Sequence, residues 1–168
     1  MADVFSKRKR SEVMSRIRSR GNRDTELALA QLLRANGISG WRRHFQIRGR
    51  AVLPRGQKNQ AAQQRRPTFR VKPDFVFRQV RLALFVDGCF WHGCPKHATW
   101  PAHRAAWWRR KIEGNRTRDR VVNRVLRRAG RVKWRGHHAV GWRVLRIWEC
   151  DLAKHPEACV RRIQRALG

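Results

Sequence analysis

The stretch PDFVFRQVRLALFVD, residues 73–87, decides the fold of this chain. Its two apolar runs are separated by a short polar break, a pattern typical of two adjacent β-strands or a β-hairpin. Pro73 has no backbone N–H to donate, so it belongs at the first residue or the edge of its strand. An acid stands at the start of the first strand, Asp74, and another at the end of the second strand, Asp87.

Helical patterns lie on both sides of these strands in the sequence. Asp24-Thr25 is predicted to cap a helix that stops at Gly37, and residues 103–129 have apolar side chains at helical spacing. A last helix is predicted from about Pro156, and further strands are predicted at residues 41–47 and 142–148. Strands interleaved with helices predict the α/β class, with a small mixed central sheet flanked by helices.

The helix predicted at residues 103–129 has two polar residues in its apolar stripe. Either Asn115 and Asp119 have buried partners, or the stripe drifts around the helix and both residues face solvent. The sequence leaves both possibilities open. The positions that recur at helical spacing are Trp108, Ile112, Asn115, Asp119, Val122 and Leu126.

The composition indicates a folded protein with a polyanionic partner. Of 168 residues, 41 are Lys or Arg and 11 are Asp or Glu, a formal net charge of +30, yet 41% are hydrophobic and eight are Trp. This apolar content excludes a disordered basic tail and predicts a single domain over residues 1–168. Because so large a charge repels itself, a polyanion is the expected partner, and nucleic acid is the commonest one.

Several segments lie outside the predicted α/β elements. The first residues contain no secretory h-region, and no stretch is long and apolar enough to cross a membrane, so we expect a soluble, cytoplasmic protein with no membrane role. Within residues 1–21, a short basic helix is predicted. Residues 49–72 are predicted to form a long surface loop, and residues 131–140 a second basic, aperiodic insertion.

Three cysteines and one histidine have the spacing of a metal site. Cys89, Cys94 and His97 form the pattern C-x4-C-x2-H, and Cys150 follows the last predicted strand. Zinc prefers thiolate and imidazole ligands, and four protein ligands leave no open position, as in structural zinc sites. The alternative is three reduced cysteines in the core and an unrelated histidine.

Asp74, Asp87 and His92 form a second group of candidate functional residues. Carboxylate oxygens at neighbouring strand ends suit Mg²⁺, which activates bound water and neutralises charge on a phosphate. A histidine can take a proton from water near neutral pH, and Asp119 can orient the ring of His92. The group therefore predicts hydrolysis of a phosphodiester. Taken singly, each residue is better explained by a surface ion pair.

Large aromatic side chains lie between and after these two groups. Phe90 and Trp91 are flanked by predicted ligands on both sides, and Trp100, Trp107 and Trp108 follow. Since these rings cannot all face one core, we expect some to project outward, where aromatic wedges unstack and kink a DNA duplex. The alternative is packing in the core, which we expect for Trp107.

Together these segments resemble the very short patch repair (Vsr) DNA mismatch endonucleases. The resemblance rests on residues 73–76, 87–95, 111–120 and 141–150, which follow the order of the family's motifs. It implies a restriction-endonuclease-like fold with a structural zinc site. It also implies a monomeric, Mg²⁺-dependent bacterial enzyme that nicks the T-containing strand of T:G mismatches in double-stranded DNA, alongside mismatch-repair proteins.

By position, the resemblance assigns roles to single residues. Asp74 is the implied Mg²⁺ ligand, helped by the backbone carbonyl of Val86, and His92 is the implied general base with Asp119 as its partner. Glu26 matches an acid near the active site, although by itself it suits a helix N-terminus. The other implied sets are the intercalating Phe90, Trp91 and Trp108, the DNA-contacting Lys111 and Asn115, and the zinc ligands Cys89, Cys94, His97 and Cys150.

This chain departs from the family's pattern at several places. Asp87 stands where some members have His, so a second carboxylate is expected at the metal. Cys89 stands where related nucleases have Lys, which leaves His92 as the base. Residues 51–71 and 131–140 look like loop insertions, which cost little when they fall between elements.

Two other functions remain open from the sequence. The chain is alternatively a non-catalytic, zinc-stabilised DNA-binding protein in which the insertions have abolished the chemistry. It is also consistent with a restriction-type nuclease on the same fold, which cuts both strands of DNA without a mismatch. Mg²⁺-dependent cleavage would exclude the first alternative. A nick made only in mismatched DNA would exclude the second.

Overall fold

The computed structural model describes residues 8, 23–50, 68–129, 133–134, 137–138 and 141–168. The predicted N-terminal basic helix, residues 1–21, lies outside the described residues apart from Arg8. Most of the predicted loop insertion at residues 51–71 lies outside them as well.

The chain combines helices and strands in a mixed α/β fold, as predicted. A π-helical turn, Arg23–Leu27, leads into α1 (Ala28–Ala35), and the later helices are α2 (Ala105–Arg128), α3 (Glu149–Lys154) and α4 (Pro156–Leu167). The strands are β1 (Trp41–Arg43), β2 (Ile47–Arg50), β3 (Thr68–Val71), β4 (Phe75–Phe77), β5 (Leu82–Asp87), β6 (Lys133–Trp134), β7 (His137–His138) and β8 (Arg143–Trp148).

A small four-stranded sheet has the strand order β1-β4-β5-β8. β4 and β5 pair antiparallel, with Phe75 opposite Leu84 and Phe77 opposite Leu82, which confirms the hairpin predicted from residues 73–87. Every residue of β4 and the first three residues of β5 are buried. Burial on both faces explains why these strands are continuous apolar runs rather than alternating patterns.

The predictions for residues 41–72 need correction. The single strand predicted at residues 41–47 is two strands, because His44 has a φ of 53°, in the left-handed region that an extended strand cannot include. The surface loop predicted at residues 49–72 begins and ends in strands: β2 and β3 pair antiparallel, with Ile47 opposite Val71. Their apolar residues are few and stand among arginines, so the sequence pattern is weak.

The second predicted insertion also contains strands. β6 and β7 pair antiparallel, with Lys133 opposite His138. The predicted insertion at residues 131–140 therefore includes a pair of short strands, which are too short to leave a detectable periodicity in the sequence.

Helix α1 buries Leu29 and Leu33, as its apolar stripe predicts. It ends as predicted at Gly37, whose φ is 66° and whose N–H donates to the carbonyl of Arg34 at 3.0 Å. The predicted cap at Asp24-Thr25 is wrong. The π-helical turn precedes α1, so Leu27 occupies the N-cap position and makes no side-chain capping bond.

The two longer helices confirm their predicted ranges. In α2, Ile112, Asn115 and Leu126 are buried, so the polar Asn115 lies on the buried face rather than on a stripe that drifts to solvent. In α4, Cys159 and Ile163 are among the buried residues. Helix α3 directly follows β8 and was not predicted.

The residues group into two compact units by the proximity of their Cα atoms. The first comprises the described residues of Met1–Ser39, Val86–Arg118 and Ile147–Ile163, and the second those of Gly40–Phe85, Asp119–Arg146 and Gln164–Gly168. The second unit has a hydrophobic cluster built from Ile47, Val71, Val76, Ala83 and Leu126. None of the described helices is long and apolar enough to span a membrane.

Candidate active site and metal centre

The four predicted zinc ligands converge in the first unit. One ligand atom from each of Cys89, Cys94, His97 and Cys150 lies within 4.8 Å of the others. The Sγ of Cys94 is 3.8 Å from the Sγ of Cys150 and 3.8 Å from the Nδ1 of His97. Sulfur ligands about 2.3 Å from a tetrahedral zinc ion stand about 3.8 Å apart, so the donors fit zinc in both type and spacing. The prediction that these residues meet is confirmed.

The loop after β5 brings two of the thiols together through its own backbone. The N–H of Cys94 donates to the carbonyl of Cys89 at 2.9 Å, and Gly93 between them has a φ of 62°, which favours glycine. The carboxylate of Glu149 accepts the N–H of Cys89 at 3.0 Å. Glu149 directly precedes Cys150, so this bond links the loop to the segment that supplies the remaining cysteine. No local sequence pattern marks Glu149 as part of the site.

The thiols of the cluster differ in acidity. Burial raises the pKa of Cys89 to about 12, although a hydrogen bond with the backbone of Cys150 opposes part of the shift. Burial also raises the pKa of Cys94, but hydrogen bonds with the backbone of Lys96 and with His97 outweigh it and lower the pKa to about 7. Cys159 lies outside the cluster, and burial raises the pKa of its thiol as well.

Two predicted catalytic residues meet in the first unit. Asp87, the last residue of β5, is 4% exposed, and its Oδ1 is 3.8 Å from the Nδ1 of His92. The N–H of His92 donates to the carbonyl of Gly88 at 3.1 Å, which fixes the turn that carries the imidazole. The structure thus places a carboxylate beside the proposed base at the end of a buried strand.

Asp74 and Asp119 belong to the second unit. Asp74 directly precedes β4 and is partly exposed, and its carbonyl accepts the N–H of His44 at 3.3 Å. The Oδ1 of Asp119 is 2.9 Å from the Nη2 of Arg146, and both side chains are 19% exposed. Asp119, the second polar residue of the α2 stripe, therefore has a partner in Arg146, which no sequence pattern indicates.

Glu26 is 7% exposed and lies in the π-helical turn before α1. The π-helical turn runs directly into α1 at Ala28, so Glu26 lies in the first turn of the combined helical segment, where an acid favours the helix N-terminus.

Four aromatic residues of the first unit, Phe90, Trp91, Trp107 and Trp108, form one cluster. The ring centroid of Phe90 is 5.2 Å from that of Trp91 and 5.1 Å from that of Trp108, both in edge-on geometry. Trp107 packs edge-on against Trp108 at 4.7 Å but is 48% exposed, so the prediction that it belongs to the core is wrong. The amide of Asn115 donates to the carbonyl of Trp91 at 2.9 Å and holds this loop against α2.

The end of α2 in the second unit is strongly basic. Exposed arginines recur there at positions 120, 124, 127 and 128, on the side of the helix away from buried Leu126. Lys111, which was predicted with Asn115 to contact DNA, is exposed on the part of the same helix that belongs to the first unit. A hollow in this part of the surface is lined by Arg120, Asn123, Arg124, Arg127 and Arg128.

Comparison with known proteins agrees with these features. The sequence pattern of the family "DNA mismatch endonuclease Vsr" matches residues 56–98. The DNA mismatch endonuclease Vsr of Escherichia coli (strain K12) is 35% identical over 159 residues, which cover 90% of this chain and 76% of that protein.

Two nicking enzymes are similar as well. The type II nicking enzyme V.XorIIP of Xanthomonas oryzae pv. oryzae is 34% identical over 155 residues, which cover 91% of this chain and 88% of that protein. The type II nicking enzyme V.NaeI of Lentzea aerocolonigenes is 45% identical over 91 residues, and there the match covers 54% of this chain and only 48% of that protein. With more than 30% identity over nearly the whole chain, this protein belongs to the Vsr family of DNA endonucleases.

Proposed function

We propose that this protein is a Mg²⁺-dependent mismatch endonuclease that nicks the T-containing strand of T:G mismatches in double-stranded DNA. One observation carries the proposal. In the segment from Asp87 to His92, the Asp87 carboxylate lies 3.8 Å from the His92 imidazole, and the same segment contributes Phe90 and Trp91 to a cluster of partly exposed aromatic rings. A hydrolytic group and a set of rings able to unstack bases on one short segment suit an enzyme that cuts beside a weakened base pair.

Asp74, Asp87 and the backbone carbonyl of Val86 would hold the metal ion. The donor set fits: all three groups offer hard oxygen ligands, and Mg²⁺ commonly uses one or two carboxylates, with waters and substrate phosphates completing its shell. Asp74 precedes β4 and Asp87 ends β5, and these strands are antiparallel neighbours. When bound, Mg²⁺ would activate a water molecule and neutralise charge on the scissile phosphate.

His92 would take the proton from the attacking water. One ring nitrogen must remain free for this step, so a single carboxylate has to orient the ring through the other nitrogen. At 3.8 Å, the approach of Asp87 to Nδ1 is longer than a hydrogen bond, which suits Asp87 as a metal ligand. Asp119 would accept a hydrogen bond from His92 and orient its ring. A carboxylate accepts several hydrogen bonds, and the pair with Arg146 uses only part of that capacity.

Phe90, Trp91 and Trp108 would insert between bases beside the mismatch. Lys111 and Asn115 would contact the DNA, and the bond from Asn115 to the carbonyl of Trp91 supports an additional role in holding the wedge in place. Glu26 would act as a further acid near the active site. The exposed arginines of α2 and the net charge of +30 support binding to a polyanion.

We also propose that the cluster of three cysteines and one histidine binds one zinc ion with a purely structural role. Four protein ligands leave no coordination position for a substrate. The remaining proposals are a restriction-endonuclease-like fold and a monomer that acts in the bacterial cytoplasm alongside mismatch-repair proteins, and these rest on the family alone.

A nicking assay tests the proposed activity. Duplexes with a T:G or a T:A pair, each strand labelled in turn, are incubated with the protein with and without Mg²⁺. We expect one nick, in the T-containing strand of the T:G duplex, only with Mg²⁺. The variant His92→Ala, which lacks the proposed general base, is expected to nick this duplex about 10²- to 10⁴-fold more slowly.

Asp74→Ala is expected to abolish the nick, whereas Glu157→Ala, which removes an exposed acid on α4, is expected to leave it unchanged. If the folded wild-type protein binds DNA but cuts neither duplex, the proposal fails in favour of a binding protein. Equal cleavage of both strands in the T:A duplex would instead indicate a restriction-type nuclease.

A further inference from the structure

We propose that the β2–β3 hairpin is a second DNA-binding element, in which the facing residues Arg48 and Arg70 bind the phosphate backbone of the duplex. The inference rests on the proposed function only in taking double-stranded DNA as the partner. The hairpin is a part of the second unit that has no role in the proposed nicking reaction.

The pairing of the hairpin separates an apolar face from a basic face. Ile47 is opposite Val71, and the next pair is Arg48 opposite Arg70. Ile47 is 3% and Val71 is 8% exposed, and both belong to the hydrophobic cluster of the second unit. Successive residues of a strand point to opposite faces, so Arg48 and Arg70 project away from that cluster, and both are exposed.

Two arginines in this position repel each other. Side chains directly opposite in an antiparallel pair have Cβ atoms about 4.5–5.5 Å apart, and like charges at that separation destabilise the hairpin. Arg48 donates through Nε to the neutral side-chain oxygen of Gln46 at 2.8 Å. Within residues 23–50 and 68–129, no acidic side chain pairs with Arg48 or Arg70. A phosphate group between the two guanidinium groups would remove the repulsion and form charge-assisted hydrogen bonds.

The hairpin offers this pair on a fixed support. The ring of Phe69 covers Gly49, where an added Cβ would lie 2.5 Å from Cε1, and the same ring packs against the hydrophobic cluster. Thr68 and Lys72 are also exposed and alternate with the inward-facing residues, so they extend the polar face along β3 on both sides of Arg70. Because the backbone is already ordered, only the side chains lose conformational entropy when they bind a regular phosphate backbone.

The salt dependence of binding to a fully matched duplex tests this contact. The variant Arg48→Gln/Arg70→Gln is compared with Arg161→Gln/Arg165→Gln, which removes the same charge from exposed positions on α4. If each arginine of the hairpin neutralises one phosphate, the plot of log K against log salt becomes less steep by about 0.9 for each lost contact. We expect a change of about 1 to 2 for the hairpin variant and the wild-type slope for the control.

Arg70→Glu provides a second, opposite readout. It converts the like-charge pair into an ion pair with Arg48, so the melting temperature of the free protein should rise or stay unchanged while affinity for the duplex falls. A merely structural role for Arg70 predicts that stability and affinity fall together. A wild-type salt slope in the double variant, or unchanged affinity in Arg70→Glu, would overturn the proposal.

The nicking rate at saturating duplex separates this inference from the proposed function. We expect the hairpin variants to nick at the wild-type rate when DNA is saturating, because they alter binding and not the chemistry. An unchanged salt slope with normal nicking would eliminate the hairpin contact and leave the proposed activity intact. Absence of nicking by the wild type would eliminate the activity, while the slopes on matched duplex would still decide the hairpin contact.

Discussion

At the level of single residues, Arg146 joins a strand and a helix of the second unit. Its Nη2 lies 2.9 Å from Oδ1 of Asp119, its Nη1 donates to the side chain of Asn123 at 3.2 Å, and its Cζ lies 4.7 Å from the centroid of the Phe85 ring. One guanidinium group from β8 therefore satisfies two polar side chains of α2 and covers an aromatic ring. Removal of Arg146 leaves the Asp119 carboxylate without this cation.

We predict that Arg146→Met lowers the free energy of unfolding by about 2–3 kcal/mol, somewhat below the cost of breaking a fully buried pair, since both side chains retain some exposure. Asp119→Asn in the same chain should recover about 1 kcal/mol or more of that loss, because it removes the carboxylate charge that Arg146 had neutralised. Denaturant unfolding of the wild type, both single variants and the double variant measures the coupling. Strictly additive effects would show that the ion pair has no energetic role.

Site residues were predictable from the sequence where their chemical type and spacing are distinctive. The cysteines, His97 and Asn115 stood out because thiols cluster there and because a polar residue interrupts an apolar stripe. Glu149 and Arg146 did not stand out. Their partners, Cys89 and Asn123, are 60 and 23 residues away in the sequence, and no local pattern marks such bonds.

At the level of elements, the start of β8 lies close to the end of α2. The N–H of Trp142 donates to the carbonyl of Leu126 at 3.0 Å, which brings the preceding Gly141 against the backbone of the helix. A Cβ added at Gly141 would overlap the carbonyl oxygen of Arg127. Backbone atoms cannot turn aside as side chains do, so either the strand or the helix end would have to move.

We predict opposite effects for two glycine substitutions. Gly141→Ala should destabilise the protein by about 2 kcal/mol or more, because the overlap is with backbone. Gly114→Ala lies in α2 with no atom within 4 Å of the added Cβ and should stabilise it by about 0.5–1 kcal/mol through the better helix propensity of alanine. Thermal unfolding of both variants is the measurement, and melting temperatures that move in the same direction would contradict this account.

Elements with a long apolar pattern were predicted from the sequence, and elements with a short one were missed. The strands of residues 73–87 and the stripe of α2 were predicted because many successive positions are buried. β2 and β3 were missed because each contains only one buried residue among those whose burial is described, and most of the others are arginines, glycine and threonine. Helix α3 was missed because six residues are too few to show helical periodicity.

At the level of the whole molecule, the division into two units was not predictable from the sequence. Each unit is assembled from three separate stretches, and no linker of distinct composition marks a boundary. The net charge of +30 opposes compaction of the entire chain, because like charges repel in the folded state. The first unit is thus expected to depend on a cross-link between its distant segments.

With the proposed zinc ion bound, the cysteine and histidine cluster would provide that cross-link, since Cys94 and Cys150 are 56 residues apart in the sequence and 3.8 Å apart at their sulfur atoms. We predict that protein purified without chelator contains one zinc ion per chain. Cys150→Ser should lose the metal, and the melting temperature should fall by about 10 °C or more, because metal binding contributes directly to the free energy of folding.

Cys159→Ala is the matched control, because Cys159 is buried in α4 but lies outside the cluster. It should keep one zinc ion and lose about 2–4 °C, the effect of a small cavity of about 1 kcal/mol in a protein of this size. Chelator should lower the wild-type and Cys159→Ala melting temperatures but leave that of Cys150→Ser unchanged, because that variant has no metal to lose. Wild-type protein without zinc would mean that hydrogen bonds such as that from Cys89 to Glu149 hold the first unit together without a metal. A full equivalent of zinc in Cys150→Ser would mean that Cys150 is not a ligand.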